Sequence, residues 1–195
     1  MELKKSISFA VGDFNYELRS LMVSDVTMAY VEGLEREREY LKNVPLTITV
    51  FSQRKYVQEI IESIDKSLIG LFCGDVLVGT AGLQGSGATW VVNKKQISGI
   101  VTLGILIFDS RHRGSGVGKA LVWGACVLYG EQNKSRFFGA GGAITNISSL
   151  KSFLACGFYR VDQNKNAWRV LVKRNDVVRP RAILKAGAFR VSPLE

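Results

Sequence analysis

The order of apolar and polar positions along the chain alternates between short strand-like stretches and apolar stripes at helical spacing. Residues 14–21 alternate enough to predict a strand, with Gly12 and Asp13 as a turn before it. Ser24 reads as an N-cap, because Val26, Ala29, Tyr30 and Leu34 follow at helical spacing. A second helix is capped by Ser52. It carries Val57, Ile60, Ile61 and Ile64 as a stripe, with Arg54, Lys55, Glu59 and Glu62 turned outward. Residues 68–73 and 76–83 read as a hairpin across Gly74 and Asp75, and a glycine-rich break at 85–87 precedes strands at 90–92 and 97–108. A basic glycine loop, an apolar helix over 117–129, a strand over 137–144, a short helix over 147–155 and strands at 158–161 and 168–173 complete the pattern. Strands and helices mix in an α+β order, which predicts one sheet with helices on both faces.

Composition narrows the class. A chain of 195 residues with 47% hydrophobic and 22% charged side chains suits a single globular domain and excludes wholesale disorder or a fibrous repeat. Its longest apolar run, residues 120–129, is about half of the roughly 20 residues a membrane helix requires. No secretion signal is evident, so a cytoplasmic location is the expectation. Cys73, Cys126 and Cys156 lie far apart in apolar stretches, with a single histidine, His112, which excludes a zinc ribbon and predicts buried free thiols.

The net charge is +9, but it is uneven. Residues 1–150 carry 16 basic and 14 acidic side chains, whereas residues 151–195 carry 10 basic and 3 acidic. Such asymmetry fits nucleic acid, an anionic surface or a phosphorylated small molecule, and charge alone does not choose among them.

The most informative segment is 106–120, where a β-rich run enters glycines and leaves as a helix. Gly114, Gly116 and Gly118 let backbone N–H groups approach an anion, and those groups sit at a helix N-terminus whose partial positive charge favours phosphate. Arg111, Arg113 and Lys119 add full charges. The nucleoside-triphosphate loop does not fit, because the spacing from Gly114 to Gly118 is one residue short and Ala120 stands where its hydroxyl belongs. The dinucleotide fingerprint does not fit either, since the chain has GxGxG deep in its sequence rather than GxGxxG near its first strand.

What fits is Arg113-x-x-Gly116-x-Gly118, which resembles the (Q/R)xxGx(G/A) loop of the GNAT superfamily of acetyl-CoA-dependent N-acetyltransferases. About 30 residues later, Asn146-x-x-Ser149-x-x-x-Phe153-x-x-x-Gly157-Phe158 resembles the second acetyl-CoA motif of that family. Arg19 and the segment 29–34 resemble the branch that holds ribosomal-protein and several amino-sugar N-acetyltransferases, and the likeness spans about residues 14–174. It implies a GNAT-like domain over residues 1–176, with a mixed, largely antiparallel sheet splayed between its fourth and fifth strands, and a basic appendage over 177–195.

The resemblance also implies roles. Acetyl-CoA is the co-substrate, and Leu106, Ile107, Phe108, Arg111, Arg113, Gly114, Ser115, Gly116, Val117, Gly118, Lys119, Asn146 and Phe153 are its expected contacts. A peptide N–H among Leu106, Ile107 and Phe108 would hold the oxyanion, and the amine would attack the thioester directly in a ternary complex. Many members carry a tyrosine as the acid where this chain has Phe153, so Ser149 is the candidate acid and Tyr159 a further one. Glu35, Glu37 and Glu39 lie in the stretch near the acceptor, where alternating charge also reads as a solvated face, so no base is assigned. His112 is expected to be solvated or to touch phosphate. Asn146 either caps its helix or bonds the pantetheine arm.

The leading expectation is an N-acetyltransferase acting on an amino sugar, including a nucleotide-linked one, with protein N-termini as the alternative and no metal, membrane or nucleic-acid partner. The competing reading is an inactive binding protein of the same fold that contacts nucleic acid through Lys173, Arg174, Arg179, Arg181, Lys185 and Arg190.

Overall fold

The computed structural model describes residues 5–41, 47–133, 136–183 and 190–193. It opens with a hairpin of β1 (Lys5–Val11) and β2 (Phe14–Ser20), turned by Gly12 at φ +60° with Val11 opposite Phe14. β1 is an element absent from the sequence expectation. Its apolar residues Ile7, Phe9 and Val11 alternate along the strand and are all buried.

Two helices follow, α1 (Met28–Arg36) and α2 (Val50–Glu62), and both are capped by threonine. Thr27 Oγ1 accepts from the N–H of Tyr30 at 3.3 Å. Thr49 and Ser52 cap one another, each side chain accepting the other's N–H at 3.0 Å. The expected caps are thus displaced. Ser24 lies in a short 3-10 turn (Val23–Asp25), and Ser52 is the third helical residue of a reciprocal box.

Next come β3 (Lys66–Cys73), β4 (Val76–Val92) and β5 (Lys95–Ile107). β4 runs unbroken for 17 residues, and the glycines at 85–87 mark a shift in its register with β5, between Gln84 and Ala88, rather than a break. The remaining elements are α3 (Val117–Gln132), β6 (Phe137–Ala143), α4 (Ile147–Leu154), β7 (Tyr159–Gln163), β8 (Ala167–Lys173) and β9 (Arg190–Pro193).

The nine strands form one sheet in the order β7-β8-β6-β5-β4-β3-β2-β1-β9. Every neighbouring pair is antiparallel except β5 and β6, whose parallel pairing covers only Ile100–Thr102 against Phe137–Gly139. Beyond Thr102 and Gly139 the two strands part, so the splay expected from the resemblance falls between β5 and β6. That is one strand later than the expected fourth and fifth: β1 is added at the start, and the strand expected at 90–92 is the end of β4.

Alternation along the strands separates two cores. Leu68 and Phe72 of β3 face α1 and α2, joining Tyr30, Val57 and Phe108. Ile69 and Leu71 face the other way, joining Leu103, Leu121 and Leu150 beneath α3 and α4. Cys126 and Cys156 lie in this second core and Cys73 is half-buried; all three thiols are free. Burial pushes the Cys126 thiol well up and that of Cys156 to about 12.

The chain after β8 does not leave the domain at residue 176. The N–H of Val178 donates to the carbonyl of Cys156 at 3.0 Å, Ile183 is buried beside α3, and β9 pairs antiparallel with β1. The expected boundary between a domain and an appendage therefore coincides with no structural break. Lys185 lies outside the described residues.

Candidate functional site

The end of β5 presents a peptide edge to the splay. The N–H of Phe108 donates to the Val78 carbonyl of β4 at 3.2 Å, and peptide groups alternate sides along a strand, so Ile107 turns its N–H and C=O toward the opening. Of the three amides expected to serve an oxyanion, those of Leu106 and Phe108 point to β4 and that of Ile107 to the splay. The Phe108 ring is buried against α1, packing edge-on to Tyr30 at 5.7 Å, and a Cβ on Gly33 would stand only 2.7 Å from it. Leu106 packs against the same cluster.

The glycine loop follows. Asp109 caps a 3-10 turn (Ser110–His112), accepting the Arg111 N–H at 3.0 Å, and the Arg111 guanidinium lies 2.6 Å from its carboxylate. That guanidinium holds the Asp109 carboxyl down to about 2. Gly114 has φ +79°, and Gly116, the N-cap of α3, has φ +101°. Of the four described helices, α1, α2 and α4 are capped by side chains and α3 is not. In the first turn of this longest described helix, 16 residues, the Gly116 carbonyl accepts the Lys119 N–H at 3.0 Å, and the Gly118 N–H is left to an external partner, at the end where the dipole is positive. Ser115 spends its hydroxyl within the loop, donating to the His112 carbonyl at 2.9 Å and accepting the Val117 N–H at 3.4 Å. Gly118 lets α4 approach α3, since a Cβ there would lie 3.2 Å from Ser152 Oγ. Lys119 is half-buried, and its carbonyl accepts from Cys156 Sγ. Glycines, an uncapped helix start and basic residues together fit a pyrophosphate.

Two loop residues differ from expectation. His112 is neither solvated nor free for phosphate: it is 5% exposed, with Nδ1 2.7 Å from the Tyr16 hydroxyl and its ring edge-on to Phe14 and Tyr16. Arg113 turns back along the strand. Its Nε and Nη2 donate to the Ile107 carbonyl at 2.9 and 2.5 Å, and Nη2 also lies 2.5 Å from Glu37 Oε2.

On α4, Asn146 is the N-cap, accepting the Ser149 N–H at 3.2 Å, and Ser149 itself is half-buried on the first turn. Phe153 corrects a third expectation. It is 1% exposed and locked edge-on to Phe158 at 5.1 Å and against Trp168 at 6.0 Å, so its ring serves the core and is closed to a pantetheine arm. Tyr159 starts β7 with its ring exposed.

The acidic stretch after α1 resolves into separate tasks. Glu35 pairs with Arg38 at 2.6 Å on the surface, and that guanidinium holds its carboxyl below the ordinary range. Glu37 instead points inward to Arg113, with only 12% of its side chain exposed. Charge alternation predicted a solvated face here, because the partner sits 76 residues away on another loop and leaves no local signal. Arg19 forms a two-pronged pair with Asp25, at 2.7 and 2.8 Å, and lies 3.8 Å over the Phe72 ring, a structural role.

Among the described residues no cluster of three His, Cys, Asp or Glu side chains could hold a metal ion, and no helix is long and apolar enough to cross a membrane. No protein-family model and no curated protein matches the chain. Solved structures do. Mycobacterium smegmatis RimJ in complex with CoA-disulfide matches with a TM-score of 0.72 at 12% identity, over 93% of this chain and 94% of that one. The ribosomal-protein-S5-alanine acetyltransferase from Vibrio fischeri matches with a TM-score of 0.69 at 14% identity, over 88% and 99%. The aminoglycoside acetyltransferase AAC(6')-Ib in complex with coenzyme A matches with a TM-score of 0.63 at 18% identity, over 83% and 96%. A GNAT domain from S. lividans PAT is also among the matches, and the mixed, mostly antiparallel sheet with its helices is that of the GNAT acetyltransferase fold.

Proposed function

We propose that the protein is an acetyl-CoA-dependent N-acetyltransferase that acylates a primary amine by direct attack in a ternary complex, with an amino sugar or nucleotide-linked amino sugar as acceptor. The observation that carries the reading is the pairing of an uncapped, glycine-started α3 with a splay into which Ile107 turns its peptide edge. Acetyl-CoA supplies an acyl thioester and a pyrophosphate. The loop residues Gly114 to Lys119, with Arg111, are the groups that would hold the pyrophosphate, and the Ile107 N–H would donate to an oxyanion in the splay. Ser149, on the α4 turn facing α3, is the hydroxyl proposed to protonate the departing thiolate.

Acetylation of a protein N-terminus is the second reading, and the presence of a ribosomal-protein-S5-alanine acetyltransferase among the matched structures supports it. Thiol release from acetyl-CoA, followed against amino sugars, aminoglycosides, polyamines and peptides with free N-termini, tests both. Turnover with glucosamine-type amines and none with peptides supports the first; the reverse supports the second. Neither binding nor consumption of acetyl-CoA would sink the enzyme reading altogether.

A further inference from the structure

Resting on that reading, we propose that Glu37 and the Ile107 carbonyl form the seat of the acceptor's ammonium, and that Arg113 occupies this seat in the free protein. One nitrogen, Arg113 Nη2, lies 2.5 Å from Ile107 O and 2.5 Å from Glu37 Oε2, so the two oxygens already share a single cationic donor. This happens at the one residue of the β5 end whose peptide faces the splay, where the acyl group would lie. An ammonium has three donors on one nitrogen and can satisfy both oxygens at once.

The two partners differ in what surrounds them. The Glu37 side chain is 12% exposed and the Arg113 side chain 43%, so the carboxylate is fixed by its surroundings while the guanidinium borders water into which it can turn. The neighbouring carboxylates are committed elsewhere, Asp109 to Arg111 and Glu35 to Arg38. A carboxylate largely shielded from water and left by its cation is costly, which is why the seat has an internal occupant when no substrate fills it. With the amine seated, Glu37 takes one ammonium proton, and the freed nitrogen lone pair forms the C–N bond to the thioester carbonyl carbon. The C–S bond then breaks with its electron pair on sulfur, and a second amine proton ends on the thiolate, giving amide and free thiol.

The test reads amine binding without acetyl-CoA. Glucosamine and an alanine-headed pentapeptide are titrated by calorimetry into the wild type, Glu37→Gln, Glu37→Asp and Arg113→Met, with thermal melting as the check on folding. Removing the internal cation should tighten the better probe about tenfold, Glu37→Gln should weaken it about tenfold, and Glu37→Asp should keep most of the affinity. In turnover, Glu37→Gln should raise acceptor KM and lower kcat while leaving acetyl-CoA affinity unchanged. The proposal is overturned if neither probe binds Arg113→Met, or if Glu37→Gln and Arg113→Met alter acetyl-CoA affinity and leave amine binding alone. Amine binding that follows this pattern in a protein that never consumes acetyl-CoA would uphold the seat while refuting the acetyl-transfer reading.

Discussion

Ile183→Ala is the sharpest probe of the segment after β8. Ile183 is 1% exposed and packs in the cluster beneath α3, on a 3-10 turn (Arg181–Ile183) that touches both α3 and β1. Truncating a buried isoleucine to alanine loses its transfer free energy and leaves a cavity, together about 2 to 5 kcal/mol. A domain has about 5 to 15 kcal/mol in all, and each kcal/mol moves Tm by about 2 to 4 °C at this size, so a loss near about 3 kcal/mol lowers Tm by about 6 to 12 °C. The control is Arg181→Ala, two residues away with its side chain exposed, which should stay within about 0.5 kcal/mol of wild type. Circular-dichroism melting, with urea unfolding to verify an unchanged m-value, reads both. The effect should reach the loop as well. Ala182 stands 3.0 Å from where a Cβ on Gly116 would be, so Ile183→Ala should also weaken acetyl-CoA binding while Arg181→Ala does not. If Ile183→Ala melts within about 1 °C of wild type, the segment contributes nothing to the core and the reasoning fails.

Four further outcomes follow from the geometry. Gly116→Glu should reduce acetyl-CoA affinity more than tenfold, because it sets a negative charge at an uncapped helix start with φ +101°; unchanged affinity by calorimetry would remove the pyrophosphate site from this loop. Burial raises Tyr16 from its ordinary 10.0 to about 12, so its contribution to stability is whole below pH 10 and is lost as pH rises toward 12; tyrosinate absorbance should lag behind that of the unfolded chain, and Tyr16→Phe should shrink the alkaline loss. Asp109, held down to about 2 from 3.8, contributes stability that is present above pH 3.8 and lost as pH falls toward 2, and Asp109→Asn should flatten that acid limb of the melting profile. A water-soluble thiol reagent should label Cys73 in the native protein and reach Cys126 and Cys156 only on unfolding, as peptide mapping would show.

Local signals carry most of the fold and the glycine loop. Gly12-Asp13, Gly74-Asp75 and the stripe Val57, Ile60 and Ile61 have their causes within a few residues, and each element they mark is present. The glycine turn at 114–116 and the start of α3 are readable for the same reason, since both are local. What escaped depends on long-range contact. The pairing of Glu37 with Arg113, the bond from His112 to Tyr16 and the stacking of Phe153 on Trp168 each join residues far apart in sequence, and nothing in the residue types announces the partner. The threonine caps were missed by a different route. Several hydroxyl residues stand near each helix start, and the one that caps is chosen by where the preceding strand delivers the chain.

The late positive charge and the apolar helix are one problem. Residues 117–129 hold almost no polar side chain, and a helix without a polar face must be covered on every side. The sheet covers α3 from below and α4 from one flank, but Trp123, Cys126 and Leu128 are all buried, which demands a further layer. The segment after β8 provides it, lending Val177, Ala182 and Ile183 to the helix. A strap one chain thick has an inner and an outer surface, and its outer positions, Arg179 and Arg181 among them, face water. One of the charges does more: Arg174 donates from Nη1 to the Asn133 carbonyl at 3.1 Å, placing a cation at the C-terminus of α3, where the dipole is negative. Arg174 therefore has a structural cause that requires no polyanion. A polynucleotide assay made by deleting this segment would strip α3 and report unfolding, so charge substitutions at Arg179 and Arg181, which leave Ile183 in place, are the informative variants. If those substitutions abolish binding of a polynucleotide at unchanged Tm, the outer face of the strap is a nucleic-acid surface after all; if binding is absent or unaffected, solvation accounts for its charge.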